Sequence, residues 1–372
     1  SLMRILVIFT FDYSLKSWKN AGYLDRELYF YNSLSANFGI KFTFLTYGDK
    51  DDFNHILGNE NIDVIPIYSL IKFSKFKIIR YLKSFYLPFI LNRKYKEYDM
   101  IKQNQLLGSW VAIILKLITK KKLLIRTGYD MYKFSLDEKK NIFKKSLYYI
   151  LTFLSLKLSD LYTVTSNSDL KFLNDVFKTD TNIKIRKNWV QIPPSTSLKK
   201  YKNKIICVGR LEPQKNYDLL IKNLANSSIA IDIYGTGSLE DHLKKLAKSN
   251  NLNVNFLGLV DNDFLIREYP KYKVFVSSSD YEGNSKVILE AMAAGCIVIA
   301  KDIQNNRDII ENNRNGILLN NFSNIEQTLI DIFTKKTNNE EIAINAVNSI
   351  NENNSINIIS KQYKDDFSSL LK

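Results

Sequence analysis

Short, almost uninterrupted apolar runs alternate along this chain with longer amphipathic ones, and the alternation occurs twice. Such short runs fall at 4–9, 41–46, 62–67, 122–126 and 161–165, and again at 204–208, 230–234, 254–257, 274–277 and 296–300. Between them, apolar residues recur every three or four positions over 24–37, 109–119, 139–158, 325–333 and 356–371. Runs that are apolar on both faces read as buried strands, and the periodic stretches as helices. Strand followed by helix followed by strand predicts an α/β chain with parallel sheets. Residues 10–22 read as the loop after the first strand. A helix over 75–87 is expected to stop at Pro88. The pattern is interrupted at 191–202, where Pro193-Pro194 and a serine- and lysine-rich stretch mark a linker, so the domain boundary is expected at residue 195.

At 372 residues the chain is long enough for two cores. A charged fraction of 24% and a hydrophobic fraction of 45% are those of a globular protein, not of a disordered one. Two histidines exclude a His-rich metal site, and Cys207 and Cys296 fall in expected strands, as small buried residues. No run reaches the length of a membrane span and no cleavage pattern follows the first strand, which reads as a cytoplasmic protein.

The net charge of +15 changes the picture, because it is unevenly placed. No acidic residue occurs between Asp63 and Glu97, an interval holding Lys72, Lys75, Lys77, Arg80, Lys83, Arg93, Lys94 and Lys96 among Phe73, Phe76, Tyr81, Phe85, Tyr86 and Phe89. Lys139, Lys140, Lys144 and Lys145 open the second basic amphipathic stretch. Two readings stand: helices packed on their own domain with a solvated basic edge, or docking on an anionic membrane surface through 72–96 and 139–145. Nucleic acid is the other polyanion the charge suggests, but no zinc-finger, RNP-type or helix-turn-helix pattern accompanies it.

The densest chemistry lies at 281–295, YEGNSKVILEAMAAG. Glu282 precedes a turn of small residues, Gly283, Asn284 and Ser285. An apolar helix carrying Glu290 follows. Strand, loop, helix and strand in this order place the loop and the helix N-terminus beyond the carboxyl ends of parallel strands, where ligands bind. Free amides at Gly283–Lys286 suit a phosphate, and the two carboxylates suit sugar hydroxyls.

This string resembles the E-x7-E signature of the retaining, family 4 glycosyltransferases of the GT-B fold. Gly209-Arg210-Leu211-Glu212-Pro213-Gln214-Lys215, after a strand, resembles the same family's arginine–lysine string. Gly235-Thr236-Gly237, the segment ending Gly258-Leu259-Val260 and Asn188-Trp189-Val190 fit other family positions. The resemblance is good from Cys207 to Leu319. It implies two Rossmann-like doubly wound domains facing a cleft: 1–195 for the acceptor, 196–355 for a nucleotide-sugar, and a final helix, 356–372, packed back on the first.

By that resemblance Arg210 and Lys215 hold the donor diphosphate and stabilise it as it leaves, Glu282 meets the hexose, and Glu290 the ribose. Gly209, Gly235, Gly237, Leu259, Gly283, Asn284, Ser285 and Lys286 complete the donor site. In the first domain Gly22 is the one glycine of a loop that usually has two. Asp130, with Arg126, stands where relatives carry a histidine. Asp130 is therefore a candidate catalytic or binding residue, or simply the cap of the helix that follows. The implied reaction is retaining transfer of a hexose-type sugar, with UDP-sugars favoured, to a glycan or polyprenyl-linked acceptor in bacterial surface-glycan synthesis. No Asp-x-Asp string is placed for a metal, so neither metal nor other cofactor is expected. A nucleotide-sugar epimerase of the same fold, and a basic polyanion-binding protein, are the alternatives.

Overall fold

The computed structural model describes residues 2–91, 95–179, 182–193, 199–334 and 338–372. Arg93, Lys94 and the expected boundary at 195 lie outside the described residues. The chain forms two compact units. The first comprises Ser1–Arg186 with Ser360–Lys372, and the second Lys187–Ile359.

The first unit is built on seven parallel strands: β1 (Met3–Ile8), β2 (Ile40–Thr46), β3 (Ile62–Pro66), β4 (Met100–Asn104), β5 (Lys122–Arg126), β6 (Leu161–Val164) and β7 (Ile183–Ile185). Their order is β3-β2-β1-β4-β5-β6-β7. Helices cover both faces, so the central strands are buried on both sides, as their composition requires. On one face the helices Ser109–Thr119 and Ile142–Leu158, with Leu87 and Leu91, share one apolar core with Leu6, Ile8, Ile101, Leu123 and Ile125. On the other face Tyr31 of the helix Leu24–Phe38 meets Phe42 and Phe44 edge-on.

β4 carries a lysine inside the sheet. Lys102 is 1% exposed, and its Nζ donates to Tyr31 Oη at 2.8 Å and to Asn104 Oδ1. Burial, reinforced by the Arg126 guanidinium, pushes its pKa well below the usual lysine range.

The second unit has six parallel strands: β8 (Lys204–Val208), β9 (Ala230–Tyr234), β10 (Val254–Phe256), β11 (Val274–Ser277), β12 (Ile297–Lys301) and β13 (Ile317–Leu319), in the order β10-β9-β8-β11-β12-β13. Each unit therefore reverses its strand order beside its own first strand, between β1 and β4 and between β8 and β11. That is the doubly wound arrangement expected from the sequence, and it defines where a crevice opens at the carboxyl ends of the strands.

Several expectations are corrected. The division falls between Arg186 and Lys187, earlier than residue 195. Asn188 and Val190 already belong to the second unit: Val190 N–H donates to Asn354 O at 2.9 Å and Asn354 Nδ2 to Asn188 O at 2.8 Å. The last helix, Ile356–Leu370, begins in the second unit and enters the first at Ser360. There Tyr363, Asp366 and Phe367 are buried, and Asp366 receives Arg186 Nε at 2.6 Å and Nη2 at 2.7 Å. The loop 10–22 contains a helix, Leu15–Asn20, capped by Ser14. The helix expected over 75–87 is shorter, Lys77–Ser84, and Pro88 lies in the first turn of a separate one, Leu87–Ile90, where its missing N–H costs nothing. Among the described residues no helix is long and apolar enough to cross a membrane.

Candidate functional site

At the switch point of the second sheet, β8 and β11 each hand over to a loop dense in polar groups. After β8 come Gly209, Arg210 and Leu211, then the short turn Pro213–Lys215. After β11 the chain runs through Ser278 to Tyr281 and reaches Glu282. The two loops are laced together. Asp280 N–H donates to Gln214 O at 3.0 Å, Gln214 Nε2 to Tyr281 O at 2.9 Å, and Ser278 Oγ to Lys215 O at 2.7 Å.

This lacing sets Lys215 Nζ on Glu282 Oε1, an ion pair in which Glu282 is only 8% exposed. Gly209 makes room for it: a Cβ there would lie 2.9 Å from Lys215 Cε and 3.2 Å from Tyr217 Oη. Arg210 stands exposed on the same loop, its Nη2 donating to Gln214 Oε1 at 3.3 Å. The structure thus brings Arg210 and Lys215 of one loop into a network with Glu282, distant from both in sequence.

Glu290 lies just over one turn into the helix Lys286–Ala293 and is buried. Its Oε1 accepts from Asn262 Nδ2 at 2.9 Å and its Oε2 from Tyr269 Oη at 3.3 Å. Asn262 is the first residue of the helix Asn262–Glu268, which Asp261 caps. Leu259, three residues before Asn262, is exposed on the loop after β10.

Gly235 and Gly237 are demanded by packing. A Cβ on Gly235 would come within 2.0 Å of Gly209 O, and one on Gly237 within 2.4 Å of Leu211 O. The loops after β8 and β9 also exchange hydrogen bonds, Gly209 N–H to Tyr234 O and Leu211 N–H to Thr236 O, both 2.9 Å. These glycines hold the loop carrying Arg210 in place.

The turn before the Glu290 helix is pinned from behind. Asn188 Nδ2 donates to Asn284 O at 2.9 Å and to Asn284 Oδ1 at 3.2 Å, with both residues buried. Gly283 lies between Glu282 and this anchored asparagine. Ser285 occupies the N-cap position without a side-chain cap bond, and Lys286 begins the helix.

Two candidates lie in the first unit. Gly22, at φ +82°, follows the end of the helix Leu15–Asn20, its N–H donating to Lys19 O at 3.0 Å. Asp130 is buried and caps the helix Met131–Asp137, its Oδ1 accepting from Lys133 N–H at 2.7 Å. Burial pushes its carboxyl up to about 7, with nearby Asp169 adding to the rise and the Lys133 hydrogen bond opposing it. The structure gives Asp130 the capping role that the sequence allowed as its other reading.

Sequence reasoning missed Gln214, Asn262, Tyr269 and the Asn188–Asn284 contact. Gln214 lies inside the string already singled out, and Asn188 inside another. Asn262 and Tyr269 carry no spacing signal toward Glu290. Chemically, the second unit offers two cations for a polyphosphate, one as a planar fork and one as a point charge, beside carboxylates suited to hydroxyl groups.

Residues 191–349 match the family described as Glycosyl transferases group 1. An uncharacterized glycosyltransferase of Methanocaldococcus jannaschii is 29% identical over 86% of this chain and 94% of its own. The poly(ribitol-phosphate) alpha-N-acetylglucosaminyltransferase of Staphylococcus aureus is 31% identical over 57% of this chain, which spans 43% of that relative. The solved structure of Anabaena HepE in complex with UDP superposes with a TM-score of 0.77 at 17% identity, covering 99% of this chain and all of that one, and shows the same fold.

Proposed function

The chain is a glycosyltransferase whose residues 191–349 belong to group 1, and on that premise we propose that it transfers a hexose-type sugar, with retention, from a UDP-sugar to an acceptor glycan. The observation that carries this reading is the gathering of Arg210, Lys215 and Glu282 at the β8/β11 switch point, with Glu290 on the helix that follows. Arg210 and Lys215 neutralise the diphosphate as it leaves, so the reaction needs no metal ion. Their rigid loop means that little reorganisation accompanies that charge development. Glu282, already carrying Lys215 on one oxygen, accepts hydrogen bonds from the sugar and does not act as a nucleophile. The leaving diphosphate itself helps take the acceptor proton. Glu290, held by Asn262 and Tyr269, receives the ribose hydroxyls.

The UDP bound by the Anabaena neighbour supports the choice of base. The poly(ribitol-phosphate) acceptor named for the Staphylococcus relative supports a surface polymer. We take the acceptor to be a bacterial surface glycan carried on a polyprenyl lipid, which would bring the protein to the inner face of the cell membrane.

The test is calorimetry with UDP-, GDP- and ADP-linked sugars, in magnesium and in EDTA, on the wild type, Arg210→Ala and Glu290→Ala. The expected result is binding of a UDP-sugar, indifferent to EDTA and weakened roughly tenfold or more in both variants, the loss expected of a charge-assisted contact. Binding of no nucleotide-sugar, or binding untouched by either change, would overturn the reading.

A further inference from the structure

We propose that the outer face of the helix layer on the first unit docks on an anionic lipid monolayer, with apolar tips entering the acyl boundary and lysines at the headgroups. This deepens the proposed lipid-linked acceptor and rests on that reading. The helices Lys77–Ser84 and Leu87–Ile90 lie to one side of the helix Ser109–Thr119, and Ile142–Leu158 to the other. Trp110 Nε1 donates to Ser84 Oγ at 2.8 Å, while the neighbouring Ser109 Oγ accepts from Ser155 Oγ at 3.1 Å.

Only part of their apolar surface is used inward, by Tyr81, Phe85 and Leu87 on one side and Leu151 and Leu156 on the other. The rest faces solvent. Ile78 is 64% exposed, Leu82 56% and Phe89 61%, and across the layer Ile142 is 82% exposed, Phe143 78% and Ile150 55%. A helix packed only on its own domain would turn such residues inward. Clustered exposure on this scale marks an interaction surface.

Charge selects the occupant. Lys72 and Lys75 are exposed ahead of the first helix and Lys77 at its first position, with Lys139, Lys140 and Lys144 around the start of the third. The acidic residues nearby are Asp137 and Glu138, and Glu138 is paired with Lys140 at 3.0 Å. Arg80 is not part of the free charge, because it is bound to Asp12 at 2.7 Å. Apolar tips ringed by lysines match an anionic monolayer. A second copy of the same basic face would set like charges against each other.

The placement also fits the chemistry. Crossover helices run antiparallel to the strands they connect, so residues 72–78 and 139–144 lie toward the carboxyl edge of the first sheet, the edge where doubly wound sheets meet ligands. The Arg80–Asp12 pair fixes this, since Asp12 follows the end of β1.

The experiment is co-sedimentation of the full chain with vesicles of equal parts phosphatidylglycerol and phosphatidylcholine, and of phosphatidylcholine alone. The variants are the double changes Ile142→Ser/Phe143→Ser and Lys72→Glu/Lys75→Glu. The expected result is binding to the anionic vesicles only, reduced roughly tenfold or more by each double change, with melting temperature unaltered. UDP-sugar binding, measured separately in solution, stays at the wild-type level in both variants, so a failed donor site and a failed docking face give different results. Equal binding to neutral vesicles, no vesicle binding, or binding by the Ile142/Phe143 variant as tight as wild type would overturn the proposal. So would a change of oligomeric state in either variant by sedimentation velocity, which would make the face a protein interface.

Discussion

Lys215 and Glu282 neutralise each other across the switch point of the second sheet, so that the cation proposed for the diphosphate and the carboxylate proposed for the sugar share one hydrogen bond. Removing either leaves the other without its opposite charge in a mostly buried position. Lys215→Met and Glu282→Gln should each lower kcat on the order of 10²-fold, as loss of a transition-state contact does. The double variant should be little worse than either single one, because the two side chains act as a unit. Steady-state kinetics on all three proteins measures this, and losses that multiply would refute it.

Gly235→Ala should destabilise the second unit by about 3 kcal/mol and weaken UDP-sugar binding together, since the added methyl meets the Gly209 carbonyl and displaces the loop carrying Arg210. Gly258→Ala is the control. Its φ is also positive, +74°, but a Cβ there meets nothing within 4 Å, so only about 1 kcal/mol of backbone strain is expected. Denaturant melts of both variants, with calorimetry, separate the two effects. Equal losses would mean that backbone conformation, not close approach, fixes Gly235.

Asp130 should make the first unit less stable as pH rises. Its carboxyl is held up to about 7 in the folded chain against 3.8 when exposed, so the folded state binds more protons between those values. The slope of unfolding free energy with pH is then negative, and the contribution is fully lost above about pH 7. Asp130→Asn keeps a cap acceptor for Lys133 N–H and removes the charge. At pH 8 it should be more stable than wild type by up to roughly 4 kcal/mol, and at pH 4 nearly equal to it. Thermal melts across pH decide; parallel curves would show that Asp130 does not titrate in this range.

Asp366 is the buried anchor of the last helix, bound by Arg186 Nε and Nη2 and by Lys184 Nζ at 3.2 Å. Arg186→Ala should therefore lower stability by about 3–5 kcal/mol, the usual effect of breaking a buried pair. Amide exchange should accelerate along 360–370 before the rest of the first unit. Uniform acceleration would argue that the helix is held by Tyr363 and Phe367 instead.

Strands were legible where both faces are apolar. β8, β9 and β11 match their expected limits because Ile205, Ile206, Cys207, Ile231, Ile233 and the residues Val274–Val276 all point into core. β4 was not legible, because its sequence, MIKQN, places Lys102 and Gln103 in the middle of a central strand. Tertiary context overrides composition there. The helix Asn339–Asn353 was missed for a related reason: eight of its residues are asparagine or glutamate, and its buried face is only Ile342, Ala346 and Ile350. The charged site residues were legible because their strings are local. Asn262 and Tyr269 were not, because what joins them to Glu290 is the packing of two helices rather than any spacing along the chain.

Lys102 makes the interior of the first unit chemically readable. Burial holds the pKa of this amine well below the usual lysine range, and at 1% exposure no acylating reagent can reach it while the sheet is closed. Its modification therefore counts openings of β4 against the neighbouring strands. Those openings should become rarer as pH approaches the ordinary lysine value, because the proton gained on exposure no longer rewards them. A side chain that looks misplaced in a strand thus serves as a built-in clock for the local unfolding of the first sheet.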